Sequence, residues 1–252
     1  MNTSDNREDI DASVIAPHLL KSGLRIHLQT KPQHFEELIE SRIVTRPLLE
    51  EYGFVLIDNY HSTSEKENGE DVLKDDTTIQ FIHRDLPPSQ GEDMNIVYLR
   101  FPPQEKKRGA YTVLGDAESI LRRFASFVLE DMSPLPSAMK KLREKIQEID
   151  IDALSPKDVY TDQKTWSENV FVDIAQTVRG KNYHRIHELY NTLQSLLYKH
   201  VWQPDQLLIW DDTSMVHWRV PFKNRDQATE GGYIFRKKML WEKESSQLVT
   251  LD

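Results

Sequence analysis

Strand-length apolar runs stand towards the two ends of this chain, and helix-patterned sequence fills the stretch between them. Gly53-Phe-Val-Leu-Ile-Asp58 is continuous, apolar and rich in β-branched and aromatic residues, the signature of a buried strand. Further strands are predicted at Thr78–Asp85, Met94–Phe101 and Ala110–Leu114, the first two joined by the loop LPPSQGED, whose proline pair stops the first. Near the end come Gln206–Trp210, Met215–Arg219 and Gly232–Trp241, with another candidate at 166–173. Helices are expected at 33–42, 46–52 and 134–148, and at 116–131, where Asp116 is the N-cap and Ile120, Phe124, Phe127 and Val128 recur at helical spacing. Tyr183–Val201 carries Ile186, Leu189, Tyr190, Leu193, Leu196 and Leu197 on one helical face. There is no internal repeat. Strands at both ends with helices between predict a mainly β fold with helices (α+β), a sandwich or barrel-like core decorated by helices, and not a βαβ series. Residues 1–15 read as a disordered lead-in, and 16–252 as one domain with a helical insert over about 116–200. The polar stretches 59–76 and 86–93 flank the Thr78–Asp85 run and are candidates for a substrate-selecting lid.

Composition removes several classes. The 252 residues carry a formal charge of −9, which argues against binding along a nucleic-acid backbone. No apolar stretch approaches the roughly 20 residues that span a bilayer, and the polar, acidic first residues do not resemble a targeting leader. With no cysteine, disulfides, thiolate metal sites and a thiol nucleophile are excluded. A soluble, cytoplasmic protein acting on a small molecule is the expectation. Its oligomeric state is not readable.

His83-Arg84-Asp85 is the most informative tripeptide. On a strand, side chains alternate, so His83 and Asp85 project to one side and Arg84 to the other. An imidazole and a carboxylate so placed can take adjacent corners of one metal ion, although a tripeptide alone fits an exposed strand end as well. Far downstream, Trp210-Asp-Asp-Thr-Ser-Met-Val-His217 leads through a polar turn into a strand that begins near a histidine. Two histidines and one carboxylate, with three positions open, form the facial arrangement of non-haem Fe(II) oxygenases. The alternative for His217 is a core histidine packed between Met215 and Arg219.

With these blocks the sequence resembles the Fe(II)/2-oxoglutarate-dependent dioxygenases, in the branch of taurine dioxygenase and clavaminate synthase. The likeness lies in Gly53-Phe-Val-Leu-Ile, Phe81-Ile-His-Arg-Asp85, Gly109-Ala-Tyr-Thr112, Gln203-Pro-Asp-Gln-Leu-Leu-Ile-Trp-Asp-Asp212 to His217, and the last Arg-bearing strand. The resemblance implies a double-stranded β-helix (jelly-roll) core, with Fe(II) held by His83, Asp85 and His217, and with 2-oxoglutarate and O₂ as co-substrates. The retained Asp85 argues against the family's halogenases, which lack the carboxylate. Thr112 matches the hydroxyl that bonds the far carboxylate of 2-oxoglutarate, and ordinary β-branched packing explains it equally well. That carboxylate also needs a cation that binds through two parallel bonds, for which Arg236 is chosen over Arg219 and Arg225. Where many relatives have two arginines four residues apart, positions 232 and 240 here are Gly and Leu, so Arg236 matches either, and Lys237 and Lys238 are rivals. Asp212 stands where the family often has Asn. The implied reaction is hydroxylation or desaturation of an unactivated C–H bond in a small polar, amino-acid-like metabolite, with release of succinate and CO₂.

Other patterns are weaker. His184 and His187 sit three apart in a predicted helix but lack the His-Glu-x-x-His spacing, so a solvated face explains them. No Gly-x-Ser-x-Gly elbow or phosphate-binding glycine loop occurs. Trp202, Trp210, Trp218 and Trp241 read as core residues. Two rivals remain: a metal enzyme on a cupin-like barrel that does not use 2-oxoglutarate, and a non-catalytic small-molecule-binding jelly roll.

Overall fold

The computed structural model describes residues 11–30, 32, 34–61, 68–74, 84–86, 92–100, 111–120, 195–220 and 233–251. In chain order the elements are β1 (Asp11–Val14), β2 (Leu24–His27), α1 (Phe35–Glu40), α2 (Arg46–Tyr52), β3 (Phe54–Asp58), β4 (Asp71–Lys74), β5 (Met94–Arg100) and β6 (Tyr111–Asp116). Then follow β7 (Leu197–Val201), β8 (Gln206–Asp211), β9 (Met215–Val220), β10 (Tyr233–Trp241) and β11 (Leu248–Thr250). A mainly β protein with some helices, as expected, is what these residues form.

Eight strands make one sheet in the order β1-β2-β3-β8-β5-β10-β11, with β4 also paired to β10. The β2–β3 pair is parallel and the others are antiparallel. The second sheet has the order β7-β6-β9. Alternate residues of the large sheet feed two separate cores. Val55, Ile57, Ile96, Tyr98, Leu207 and Ile209 face outward onto Phe35, Leu38 and Leu49 of the helices. Phe54, Leu56, Val97, Leu99, Leu208 and Trp210 face inward onto Leu114, Trp202 and Met215 of the small sheet and its flank. That is why Phe-Val-Leu-Ile and Leu-Leu-Ile-Trp are apolar without alternation: both faces of these strands are covered. Each such Leu, Ile or Phe contributes about 1.5–3 kcal/mol on burial.

The helix α2 has Pro in its first turn and ends at Gly53, whose φ of 77° lies in the region that favours glycine. A Cβ there would meet Lys21 Cβ and Met215 Sδ, each at 2.7 Å. The tight passage from α2 into β3 therefore needs a residue without a side chain.

Several expectations are corrected. The helix read through Val201 gives way to a strand at Leu197–Val201, because β7 finds an antiparallel partner in β6. Cross-strand pairing overrides a spacing that fits a helix; the rest of that predicted helix lies outside the described residues. The polar stretch 59–76 contains β4, a short edge strand paired with β10. Residues 11–14 of the expected lead-in form β1, fully exposed and held through its pairing with β2. Of the predicted strand Thr78–Asp85, residues 78–83 lie outside the described residues; Arg84 and Asp85 are not in a strand, and Asp85 and Leu86 form a bend. The predicted helix at 134–148 and the strand candidate at 166–173 lie outside the described residues. No helix among the described residues is long and apolar enough to cross a membrane.

Candidate metal centre

The turn after β8 is built from its own side chains. Thr213 N donates to Asp211 Oδ1 at 2.8 Å, an Asx-type turn, and Asn95 N on β5 donates to Thr213 Oγ1 at 3.0 Å. Asp211 N donates to Gly53 O and Asp212 N to Asn95 O, at 2.9 and 2.8 Å. The turn is thus fixed to two neighbouring strands, and β9 leaves it carrying His217 into the inner core. The imidazole lies against the Trp210 ring, with centroids 4.7 Å apart.

The bend at 85–86 brings Asp85 to the same place. His217 Nε2 stands 3.6 Å from Asp85 Oδ2, and the two side chains are 7% and 6% exposed. Two donors on adjacent corners around one ion, each about 2.1 Å from it, stand about 3 Å apart. The observed separation is close to that, so this nitrogen and oxygen fit a shared metal ion. The other carboxylate oxygen, Oδ1, accepts from Arg236 Nη1 at 2.6 Å. Arg236 Nη2 donates to Asp71 Oδ2 at 3.1 Å, and Asp71 is exposed.

Of the predicted site residues, Asp85, His217 and Arg236 therefore come together. His83 lies outside the described residues. Among the described residues no group of three His, Asp or Glu forms a metal-binding set.

Thr112 enters through sheet register. On β6, Leu114 pairs with His217 of β9 and Thr112 pairs with Arg219. Thr112 and Leu114 share a face, so Thr112 is on the face of His217, one row along. Its hydroxyl oxygen accepts from Trp202 Nε1 at 3.0 Å, which leaves the hydroxyl proton to donate elsewhere. Arg219, passed over in favour of Arg236, occupies the register position beside Thr112; Arg225 lies outside the described residues. Trp202, Trp210 and Trp241 are buried as expected.

Asp212 is the residue whose role the sequence did not reveal. It is fully buried and accepts from Trp210 Nε1 at 3.0 Å, from Leu86 N at 2.9 Å and from Asp85 N at 3.3 Å. Burial, and then the negative charge of Asp85, push its pKa up. The sequence shows only a carboxyl where the family it resembles often has Asn, which by itself assigns no role.

A separate cleft of about 1090 Å³ lies on the other side of this turn, lined among others by Arg46, Glu50, Glu92, Asp211 and Lys243. Two of its basic side chains are paired locally, Arg46 with Glu50 at 2.8 Å and Lys243 with Glu92. It brings no imidazole together with a carboxylate.

No protein-family model matches the chain, and no curated protein does. Solved structures do. The PvcB protein from Pseudomonas aeruginosa is similar with a TM-score of 0.49 and 15% identity, over 94% of this chain and 93% of that one. A taurine dioxygenase from Burkholderia xenovorans gives 0.47 and 11%, covering 96% of each chain. AAD-2, solved with Mn(II) and N-oxalylglycine, gives 0.45 and 11%, over 90% of this chain and 95% of that one. All three scores lie below 0.5. What the corner around Asp85 and His217 can do rests on its own side chains.

Proposed function

We propose that this protein is an Fe(II)- and 2-oxoglutarate-dependent oxygenase, acting on a small polar, amino-acid-like metabolite. One observation carries the reading: Asp85 and His217, distant in sequence, meet in the interior with Oδ2 and Nε2 3.6 Å apart. His83, two residues before Asp85, is the third ligand in this reading. That completes a two-histidine, one-carboxylate set with open positions. An eight-stranded sheet facing a three-stranded one supports a jelly-roll core, and one domain over 16–252 is part of the proposal.

When bound, Fe(II) with 2-oxoglutarate and O₂ supplies the oxidant for a C–H bond; 2-oxoglutarate leaves as succinate and CO₂, and one oxygen atom enters the hydroxylated product. The protein's own residues do the holding. Asp85 keeps one oxygen on Arg236 and turns the other towards His217, so it serves as a one-oxygen ligand. Thr112 donates its hydroxyl proton to the far carboxylate of the co-substrate, while Trp202 keeps its oxygen in place. Arg236 supplies the cation for that carboxylate. Its Nη2 is held by an exposed aspartate, Asp71, a weak partner that a buried dicarboxylate can replace. The surrounding apolar side chains, Leu99, Leu208, Leu114 and Ile234, keep water out of the interior.

The test is anaerobic reconstitution with Fe(II), then 2-oxoglutarate and oxygen, with succinate measured across a panel of amino acids and related metabolites. Stimulated succinate release that vanishes in His83→Ala, Asp85→Ala and His217→Ala is the expected result. A reconstituted protein that binds Fe(II) but neither binds nor consumes 2-oxoglutarate would refute the co-substrate assignment.

A further inference from the structure

Asp212 touches both of the segments that bring Asp85 and His217 together. On one side its two carboxyl oxygens take the backbone N–H groups of Asp85 and Leu86, at 3.3 and 2.9 Å. On the other, Oδ1 lies 3.9 Å from His217 Nδ1. That is beyond hydrogen-bond length, so this second contact is one of proximity. The indole N–H of Trp210, whose ring packs on His217, also ends on Oδ1 at 3.0 Å. The imidazole is therefore turned with Nε2 towards Asp85 and Nδ1 towards Asp212.

The side chain must accept at both oxygens. Two donors converge on Oδ1 and one on Oδ2, and all three are N–H groups that cannot accept in return. An Asn in this position has one accepting oxygen and sets its NH₂ against at least one of those N–H groups. The carboxyl is thus fitted to tie the 85–86 bend to the β8–β9 turn.

We propose that Asp212 is a positioning residue of the metal centre, holding the Asp85 bend and the His217 ring in the mutual geometry that a metal ion requires. This rests on the reading of Asp85 and His217 as ligands. Residues behind a metal's direct ligands typically change its affinity by about 10- to 100-fold when replaced.

The experiment uses the full chain and Fe(II) alone, under anaerobic equilibrium dialysis, on the wild type, Asp85→Ala, Asp212→Asn and Asp212→Ala. Thermal melting reports folding, and absorbance on adding 2-oxoglutarate reports the environment of the bound ion. Asp212→Asn is expected to stay folded, bind Fe(II) about tenfold more weakly and shift that absorbance; Asp212→Ala is expected to lose more. A folded Asp212→Asn that binds Fe(II) like the wild type, while Asp85→Ala loses it, overturns the positioning role and leaves the oxygenase reading intact. Equal binding by wild type and Asp85→Ala overturns the reading on which it rests. If neither Asp212 variant folds, the residue is a buttress of the fold and the positioning role is likewise overturned.

Discussion

His200 on β7 is buried at 3% exposure inside the sandwich, and its ring stands edge-on to Trp202 with centroids 4.6 Å apart. Burial pulls its pKa from 6.5 down to about 4. Asp58 on β3 and Gln206 on β8 work against that shift, and Arg25 on β2 works with it. Tyr198 lies beside it, with the hydroxyl 3.2 Å from Nδ1. Because the folded value lies below the unfolded one, protons prefer the unfolded chain. Stability from this group is complete above pH 6.5, drains away as pH falls from 6.5 to about 4, and is constant below that. At 1.36 kcal/mol per pK unit, the whole loss is about 3 kcal/mol. The check is urea unfolding of wild type and His200→Gln at half-unit steps from pH 7.5 to 4. Acid losses from the carboxylates are common to both proteins, so the difference between them isolates the imidazole. The wild type should lose about 3 kcal/mol more than the variant across the window. Parallel curves would refute the reasoning, because they would mean that His200 stays accessible to protons in the folded state.

Other outcomes follow from the same contacts. Thr112→Val leaves the buried indole N–H of Trp202 without its acceptor and should cost about 1–3 kcal/mol in denaturant unfolding; Thr112→Ser should restore both stability and the KM for 2-oxoglutarate. Glu70 accepts from Arg100 through two bonds, at 2.6 and 2.8 Å, and from Tyr98 at 3.0 Å, all buried. Glu70→Ala strands that guanidinium and should lower stability by about 3–5 kcal/mol, read as a lower melting temperature, while Glu70→Gln should lose less. Asp85→Leu combined with Arg236→Met removes both partners of the 2.6 Å ion pair and should leave melting unchanged or higher while abolishing Fe(II) binding; Arg236→Met alone should melt lower than the double variant.

What the sequence disclosed depended on how each segment buries its side chains. Phe54–Asp58 and Gln206–Asp211 were legible because strands covered on both faces must be apolar throughout. The start of the helix after β6 was legible in Asp116, whose carboxylate caps Ser119 N at 2.7 Å. β1, β4 and β11 were not, since short edge strands are held by backbone bonds, which leave little mark on residue type. β7 misled because Leu193, Leu196 and Leu197 continue a helical spacing, and only the partner strand β6 decides otherwise. At the site, Asp85 and His217 were readable one residue at a time as ligand-type side chains, and their meeting was expected only through the family resemblance. Asp212 carried no signal of its own, because its role depends on which N–H groups the fold turns towards it.

This corner brings an imidazole, two carboxyls and a guanidinium together beside the inner core. Beside it, much of the inner core is Leu99, Leu114, Leu208 and Ile234, side chains that need no partners. Around His217 the same sheets enclose two carboxyls, Asp85 and Asp212, together with the Arg236 guanidinium. Each buried charge costs several kcal/mol of desolvation, which even a good ion pair seldom recovers in full. Leucine at these positions would suit a fold under pressure for stability alone. Burial, and then the negative charge of Asp85, hold the Asp212 pKa up. Costly groups with ligand-type atoms, gathered in one corner, are what the proposed metal centre needs, since strongly perturbed groups often gather where chemistry is done. The same expense predicts the direction of any trade: replacing Asp85 and Arg236 together by apolar residues should leave the fold as stable or more so, while removing a ligand of the proposed metal centre.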